Sequence, residues 1–292
     1  MSYMHIDNLY KAQEILEFKH CYALEKIHGT SAHISWKGKL EFSSGGETHE
    51  RFVSLFDQEG LTTKFVDRFG AVEQAVVFGE AYGGRCQGMS KTYGQDLKFV
   101  VFEVKVNDTW LAVPQAAEIA TYLGLEFVDY ALITTEMAAI DAERDRPSTQ
   151  AIRNGIVEPR IREGIVLRPP FEVRLSRGDR VIAKYKREEF AERARPRVDV
   201  DPGKRAQLEG AEALAAEWVT AMRLEHVIDA LVSERANKDV DLSDTPLVIR
   251  AMIEDILREA RGEFEDRKPV RKAMGARAVK LFKLRLGAKC GP

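Results

Sequence analysis

Three cysteines, six histidines and no apolar run long enough to span a bilayer: several protein classes drop out on scarcity alone. Cys21, Cys86 and Cys290 lie far apart with no paired spacing. They build neither a zinc site nor a disulfide framework, a usage that fits a reducing compartment. The histidines lack metal-ligand spacing as well. A membrane span takes roughly 18–20 apolar residues in succession, and the first residues have no signal-peptide character. The expectation is a cytoplasmic protein, monomeric and without a membrane partner. Excess charge is also missing, since 44 Lys and Arg face 46 Asp and Glu for a net −2. A polyanion must then be met by a local patch. No repeat with a period of roughly 20–50 residues is evident.

What is present is an ordinary globular composition, 45% hydrophobic and 31% charged over 292 residues, enough chain for one large and one smaller domain. Residue patterns predict strands over 20–27, 31–36, 75–81, 97–106, 109–113, 125–132, 162–168, 171–175 and 180–186. Hairpin turns are expected at Asn107-Asp108 and at Ser176-Arg177-Gly178-Asp179. Helices are expected over 49–57, 61–69, 114–123 and 134–144, the third with Pro114 in its first turn. Strands joined by short turns, with helices between, predict an α+β fold with largely antiparallel sheets. Two prolines and a glycine in "ARPRVDVDPGKR" (194–205) end that pattern. The division expected is an α+β domain over 1–195 and an all-helical domain over 196–292. In the latter, 206–232, 246–264 and 270–286 all have helical periodicity.

Five short segments of the first domain carry chemistry. They are Lys26-Ile27-His28-Gly29 within "LEKIHGTSAHISW", then "VVFGEAYGG" (76–84), "FVVFEVKV" (99–106), "EGIVLR" (163–168) and "AKYKREEF" (183–190). Each is weak alone: Lys-x-x-Gly is common by chance, and "KYK" is usually a solvated strand end. Together they supply parts for one reaction. A nucleophilic lysine must lose its proton, yet a free lysine has a pKa near 10.4; neighbouring cations and desolvation lower it. Lys184 and Lys186 alternate on one strand, so they share a face and suit phosphate. Glu80 and Glu163 stand beside glycines at strand ends, where carboxylates hold magnesium or accept from a ribose hydroxyl. Phe102 offers a face for a base. Such parts would serve covalent nucleotidyl transfer, with lysine attacking the α-phosphate of a nucleoside triphosphate and pyrophosphate leaving.

In this order the segments resemble motifs I, III, IIIa, IV and V of the covalent nucleotidyltransferases, the polynucleotide ligases and capping enzymes. "EKIHGT" resembles the RNA ligase 2 group most closely. DNA ligases carry Lys-x-Asp-Gly followed by arginine, whereas here His28 replaces the Asp and Ser31 stands where that arginine would be. The resemblance covers roughly residues 20–190. It implies Lys26 as the adenylylated nucleophile, in a nucleotide site shared with Glu25, Ile27, His28 and Gly29. Glu25 would lie near the adenine, and Gly29 would permit the turn after the nucleophile. Glu80 would contact the ribose, Phe102 would stack on adenine, and Glu163, with Glu80, would hold Mg2+ or Mn2+. Lys184 and Lys186 would contact the phosphates of ATP and take part in catalysis. The family's arginine some twenty residues after the nucleophile is missing: Ser43, Ser44, Gly45 and Gly46 stand there, and Arg51 follows.

The last part of the chain lacks the strand pattern of the OB-fold that DNA ligases and capping enzymes append, and resembles instead the helical domain of the RNA ligase 2 group. From Arg267 onward there are nine Lys or Arg residues and no Asp or Glu, a basic surface suited to phosphates. The expectation is an ATP-dependent RNA ligase joining 5′-phosphate and 3′-hydroxyl RNA ends. DNA ligation, GTP-dependent capping or a catalytically silent RNA-binding protein are the alternatives.

Overall fold

A computed structural model describes residues 3–70, 73–175, 178–190, 211–235, 238–260 and 263–289. The chain divides into two compact units, Met1–Arg187 and Glu188–Pro292. The boundary expected at 195/196 lies outside the described residues.

The first unit begins with strands β1 (His20–Lys26), β2 (Thr30–Trp36) and β3 (Leu40–Ser44) and helices α1 (His49–Val53) and α2 (Gln58–Phe69). Next come β4 (Ala75–Tyr82), α3 (Ser90–Tyr93), β5 (Lys98–Val106), β6 (Thr109–Trp110) and α4 (Val113–Leu123). It closes with β7 (Tyr130–Thr134), α5 (Met137–Arg144), α6 (Thr149–Arg153), β8 (Gly164–Arg168) and β9 (Ala183–Lys186). The strands form two antiparallel sheets, one of order β7-β1-β8-β9 and one of order β3-β2-β4-β5-β6. This is the α+β, antiparallel architecture that the strand and turn pattern predicts.

Local chemistry explains the elements. In β2, Ala32, Ile34 and Trp36 all face the core, as period-two alternation requires. In α2, Leu61, Phe65 and Phe69 recur every fourth residue and are buried. Asp57 caps that helix by accepting from the Gly60 amide at 3.1 Å. The β5–β6 hairpin turns at Asn107, whose φ of 51° is left-handed, and the Asn107 side chain accepts from the Gln74 amide.

The structure corrects several expected boundaries. The strand expected over 125–132 begins only at Tyr130, because Phe127 and Val128 turn into the core after bridging Val101. The segment 109–113 keeps two strand residues before α4 starts at Val113. The arms of the hairpin expected over 171–186 do pair, through a bridge between Arg174 and Arg180 and the Val181-to-Val173 and Leu175-to-Asp179 backbone bonds, with residues 176–177 of its turn outside the described residues, and β9 starts only at Ala183. Helix α1 stops at Val53, short of the expected 57. Strand β3 and helix α6 carried no clear periodic signal, being short and half-buried.

The second unit packs α7 (Ala211–Trp218), α8 (Ala221–Glu234), α9 (Thr245–Glu259) and α10 (Lys268–Lys289) around Trp218, Ile228, Met252, Ile256, Met274 and Phe282. The single helix expected over 206–232 breaks after Trp218, where Thr220 caps α8 by accepting from the Arg223 amide. Helix α10 buries the ridge Val270, Met274, Ala278 and Phe282, with Leu286 packed against the same core. No described helix is long and apolar enough to cross a membrane.

Candidate active site

Lys26 ends β1, and four residues later the chain enters β2 in the other sheet. The lysine thus stands where the backbone crosses between sheets. A cleft of about 130 Å³ opens there, lined by Leu24 and Val166 from the first sheet and by Ser31, Glu80 and Phe102 from the second. Glu25, Lys26 and Ile27 border it, and Tyr3, Glu103, Arg168 and Ile182 complete its wall.

Register assembles the charged groups. Lys26 pairs with Gly164 across β1–β8, and Gly164 pairs with Lys186 across β8–β9. Glu163 therefore emerges between two lysines: its Oε2 is 2.9 Å from Lys26 Nζ, and its Oε1 is 3.0 Å from Lys186 Nζ. His28 Nδ1 lies 3.3 Å from Glu163 Oε2. Burial pushes the Glu163 carboxyl up, but the charges of Lys26, Lys186 and His28 hold it well below the usual carboxylate range. Lys184 is buried two residues before Lys186 on β9. Its amide donates to the Asp7 carbonyl, and its carbonyl accepts from the Leu9 amide, so the N-terminal segment braces this strand.

Glycine is required at two points by close backbone approach. A Cβ on Gly29 would stand 2.3 Å from the Ala81 carbonyl oxygen and 2.9 Å from Glu80 Cγ. A Cβ on Gly164 would stand 2.2 Å from the Tyr185 carbonyl oxygen. The expected reason for Gly29, freedom to turn, gives way to contact, since Gly29 is not among the left-handed glycines.

Glu80 lies half-buried opposite Ser31. Burial raises its carboxyl to about 7; Lys26 opposes the shift and the Glu163 charge adds to it. Among the described residues no three His, Cys, Asp or Glu side chains cluster as a metal cage. Two carboxylates do fit a divalent ion that takes its remaining ligands from substrate phosphates and water. A carboxyl poised near neutrality beside a second carboxylate also favours an arriving cation.

Glu25, expected near the adenine, borders the cleft and has its carboxylate engaged by the segment that opens α6. Its side chain is fully buried, with Oε1 accepting from Ser148 Oγ at 2.5 Å and Oε2 from the Thr149 and Gln150 amides at 3.0 and 3.2 Å. Burial raises its carboxyl, while Ser148, Arg162 and those amides oppose. Phe102 borders the cleft with the Tyr3 ring edge against it, centroids 4.9 Å apart. In the segment where the family's arginine is missing, Ser43 and Ser44 belong to β3, and Gly46 approaches Thr30 closely. Arg51 pairs with Glu47 at 2.9 Å.

Sequence reasoning missed one end of the cleft. There Glu103 is buried between Arg168, at 2.8 Å, and Arg180, at 2.6 Å, and accepts from the Tyr3 hydroxyl. Glu103 follows Phe102, and Arg168 ends "EGIVLR", so both lie inside the quoted segments. Nothing local marked Tyr3 or Arg180.

A family model described as RNA ligase matches residues 19–186. Among solved structures the chain is similar to Naegleria gruberi RNA ligase with PPi, at 16% identity and a TM-score of 0.48, over 65% of this chain and 57% of that one. Mutants of the same enzyme match alike: one with AMP and Mn at 16% identity and TM-score 0.45, one with ATP and Mn at 16% and 0.48. These two matches cover 65% of this chain and 57% and 56% of theirs, so the chain spans little more than half the length of these relatives. No curated protein matches the sequence.

Proposed function

The chain belongs to the RNA ligase family, and on that premise we propose that it is an ATP-dependent RNA ligase working through a covalent Lys26–AMP intermediate. The observation that carries this reading is the position of Lys26, 2.9 Å from Glu163 at the mouth of a cleft bordered by Phe102 and Glu80. In the first step Lys26 Nζ, having lost a proton, attacks the α-phosphate of ATP. A P–N bond forms, the bond to the β-phosphate oxygen breaks, and pyrophosphate leaves. AMP then passes to an RNA 5′-phosphate, and a 3′-hydroxyl displaces it to close the phosphodiester.

The residues divide the work by position. Phe102 offers the base a stacking face, and Glu80 can accept from a ribose hydroxyl. Lys184 and Lys186, on one strand, neutralise charge that builds on the phosphates. His28 and Lys186 hold Glu163 ionised, which orients the Lys26 amine. Glu163 and Glu80 would hold a Mg2+ or Mn2+ ion, which supplies further charge neutralisation on the triphosphate.

RNA as the partner is supported by family membership and by α10. That helix carries no Asp or Glu, and Lys268, Lys272, Lys280 and Lys283 are exposed along it. On a 3.6-residue period these four fall within about a third of the circumference.

The test is covalent labelling. The protein is incubated with α-labelled ATP or GTP and a divalent ion, then denatured. Label from ATP, retained through denaturation and absent from Lys26→Ala, is the expected result. No label on the intact protein overturns the enzymatic reading; label from GTP alone points to capping chemistry instead.

A further inference from the structure

Behind the Lys26–Glu163 pair lies a second set of buried charges with no part in the chemistry above. Glu25 immediately precedes Lys26, and Arg162 immediately precedes Glu163. Both side chains are fully buried. Successive residues of an extended chain point to opposite sides, so each member of the reacting pair has a charged neighbour facing away from it.

These two neighbours converge on one short segment. Glu25 takes the Ser148 hydroxyl and the Thr149 and Gln150 amides. Arg162 donates to the Pro147 carbonyl at 3.1 Å and reaches Thr149 Oγ1 at 3.5 Å. Its other nitrogen holds Glu143 through the carbonyl at 3.2 Å and the carboxylate at 3.0 Å. Thr149 also bonds Asp129, whose carbonyl accepts from the Glu25 amide at 2.8 Å. Arg162 Nη2 stands 3.9 Å from Glu25 Oε2 and 3.8 Å from Asp129. The strand-like approach to Glu163 is tied to the same place, since Ile161 bridges Pro147 and the Ser148 amide donates to the Arg160 carbonyl at 2.7 Å.

We propose that Glu25 and Arg162 are positioning residues, which hang Lys26 and Glu163 from one shared anchor, residues 147–150, and so set the distance between the nucleophile and its carboxylate. The proposal rests on the Lys26–AMP reading and assigns Glu25 a role other than contact with the base. Both carboxylate oxygens of Glu25 are already engaged by the anchor, leaving it little capacity to read a nucleobase. A lysine displaced by about an ångström loses reactivity without losing the nucleotide.

Glu25→Gln and Ser148→Ala, singly and together, test this on the full chain. Two quantities are followed: label transfer from α-labelled ATP across ATP concentrations, and modification of Lys26 by an amine-specific acylating reagent without nucleotide. The saturated transfer rate should fall about ten- to hundredfold in each single variant, with half-saturating ATP little changed. The double variant should be no worse than Glu25→Gln, because both changes cut one connection. Lys26 acylation should shift in the same variants, and Ser148→Thr, which keeps the hydroxyl that bonds Glu25, should retain more of both than Ser148→Ala. Should Glu25→Gln fail to fold, Ser148→Ala leaves the amide bonds to Glu25 intact and carries the comparison. A rise of half-saturating ATP with unchanged saturated rate overturns the proposal in favour of a base contact. Unchanged rate together with unchanged acylation overturns it outright. If the wild-type chain takes no label, the ligase reading fails, and acylation of Lys26 still decides the positioning role.

Discussion

Lys26 and Glu163 meet at 2.9 Å although 137 residues separate them in the chain. Two strand registers produce that meeting, since Gly164 stands opposite Lys26 on one side and Lys186 on the other. The carboxylate is thereby shared by Lys26 and Lys186 from two distant segments, and its removal should be felt in both stability and chemistry.

Glu163→Gln should abolish label transfer and destabilise the first unit by roughly 3–5 kcal/mol at neutral pH, as for a buried charge pair broken at one partner. Denaturant unfolding measures this. The native Glu163 carboxyl is held below its unfolded value, so its stabilisation is present above the ordinary carboxylate pKa and lost as pH falls. The difference between wild type and variant should therefore shrink below about pH 4.5.

Glu80 should act in the opposite sense. Its carboxyl rises from 4.5 unfolded to about 7 folded, so the native state binds the proton more tightly. Stability from this group is complete below about pH 4.5 and is lost as pH rises through 7. The shift corresponds to at most about 3 kcal/mol, reduced by solvent because the residue is half-buried. In chelator-treated protein, Glu80→Gln should gain on wild type in thermal unfolding between pH 5 and 8. A constant difference across that range would rule out the titration.

Gly29→Ala should be poorly tolerated because the added methyl meets backbone, the Ala81 carbonyl at 2.3 Å. A loss of about 1–3 kcal/mol is expected, the scale of overpacking in a tight site, with label transfer falling as Lys26 and β4 are pushed apart. Thermal melts and the labelling assay read the two effects separately.

Phe102→Ala should raise half-saturating ATP by roughly ten- to hundredfold, the equivalent of one base stack removed at about 1–3 kcal/mol. Phe102→Tyr, which keeps a ring, should largely preserve it. Titration of label transfer with ATP distinguishes the pair.

Reversing Lys272, Lys280 and Lys283 to glutamate should weaken RNA binding at every sequence. The slope of log affinity against log salt should flatten by about two, near 0.7 for each phosphate of a single strand that is no longer neutralised. Filter binding of single-stranded and nicked duplex RNA at several salt concentrations measures it.

Much of this was legible in the chain because each element rests on neighbours. The Ala32–Ile34–Trp36 alternation and the Leu61–Phe65–Phe69 spacing announce a strand and a helix by which side must leave water. The short motifs announce chemistry in the same way, since a lysine, a glycine three residues on and an "EGIVLR" segment need only local backbone to hold their residue types. Breaks such as the one after Trp218 were hidden, because Thr220 capping competes with an unbroken helical period. The turn of Phe127 and Val128 into the core was hidden for a different reason: it depends on a bridge to Val101, far away in the chain.

The sequence by itself determined the fold class, the residue types available for nucleotide transfer and the basic, acid-free final helix. Tertiary structure decided which of those residues touch. It placed Glu163 between Lys26 and Lys186, gave Gly29 its reason in a close approach to Ala81, brought Tyr3 against Phe102, and tied the Glu25 carboxylate to Ser148. The physical cause is register: a shift of one residue sends every side chain of a strand to the other face, and register is settled by pairing between distant segments, not by the residues of either strand alone.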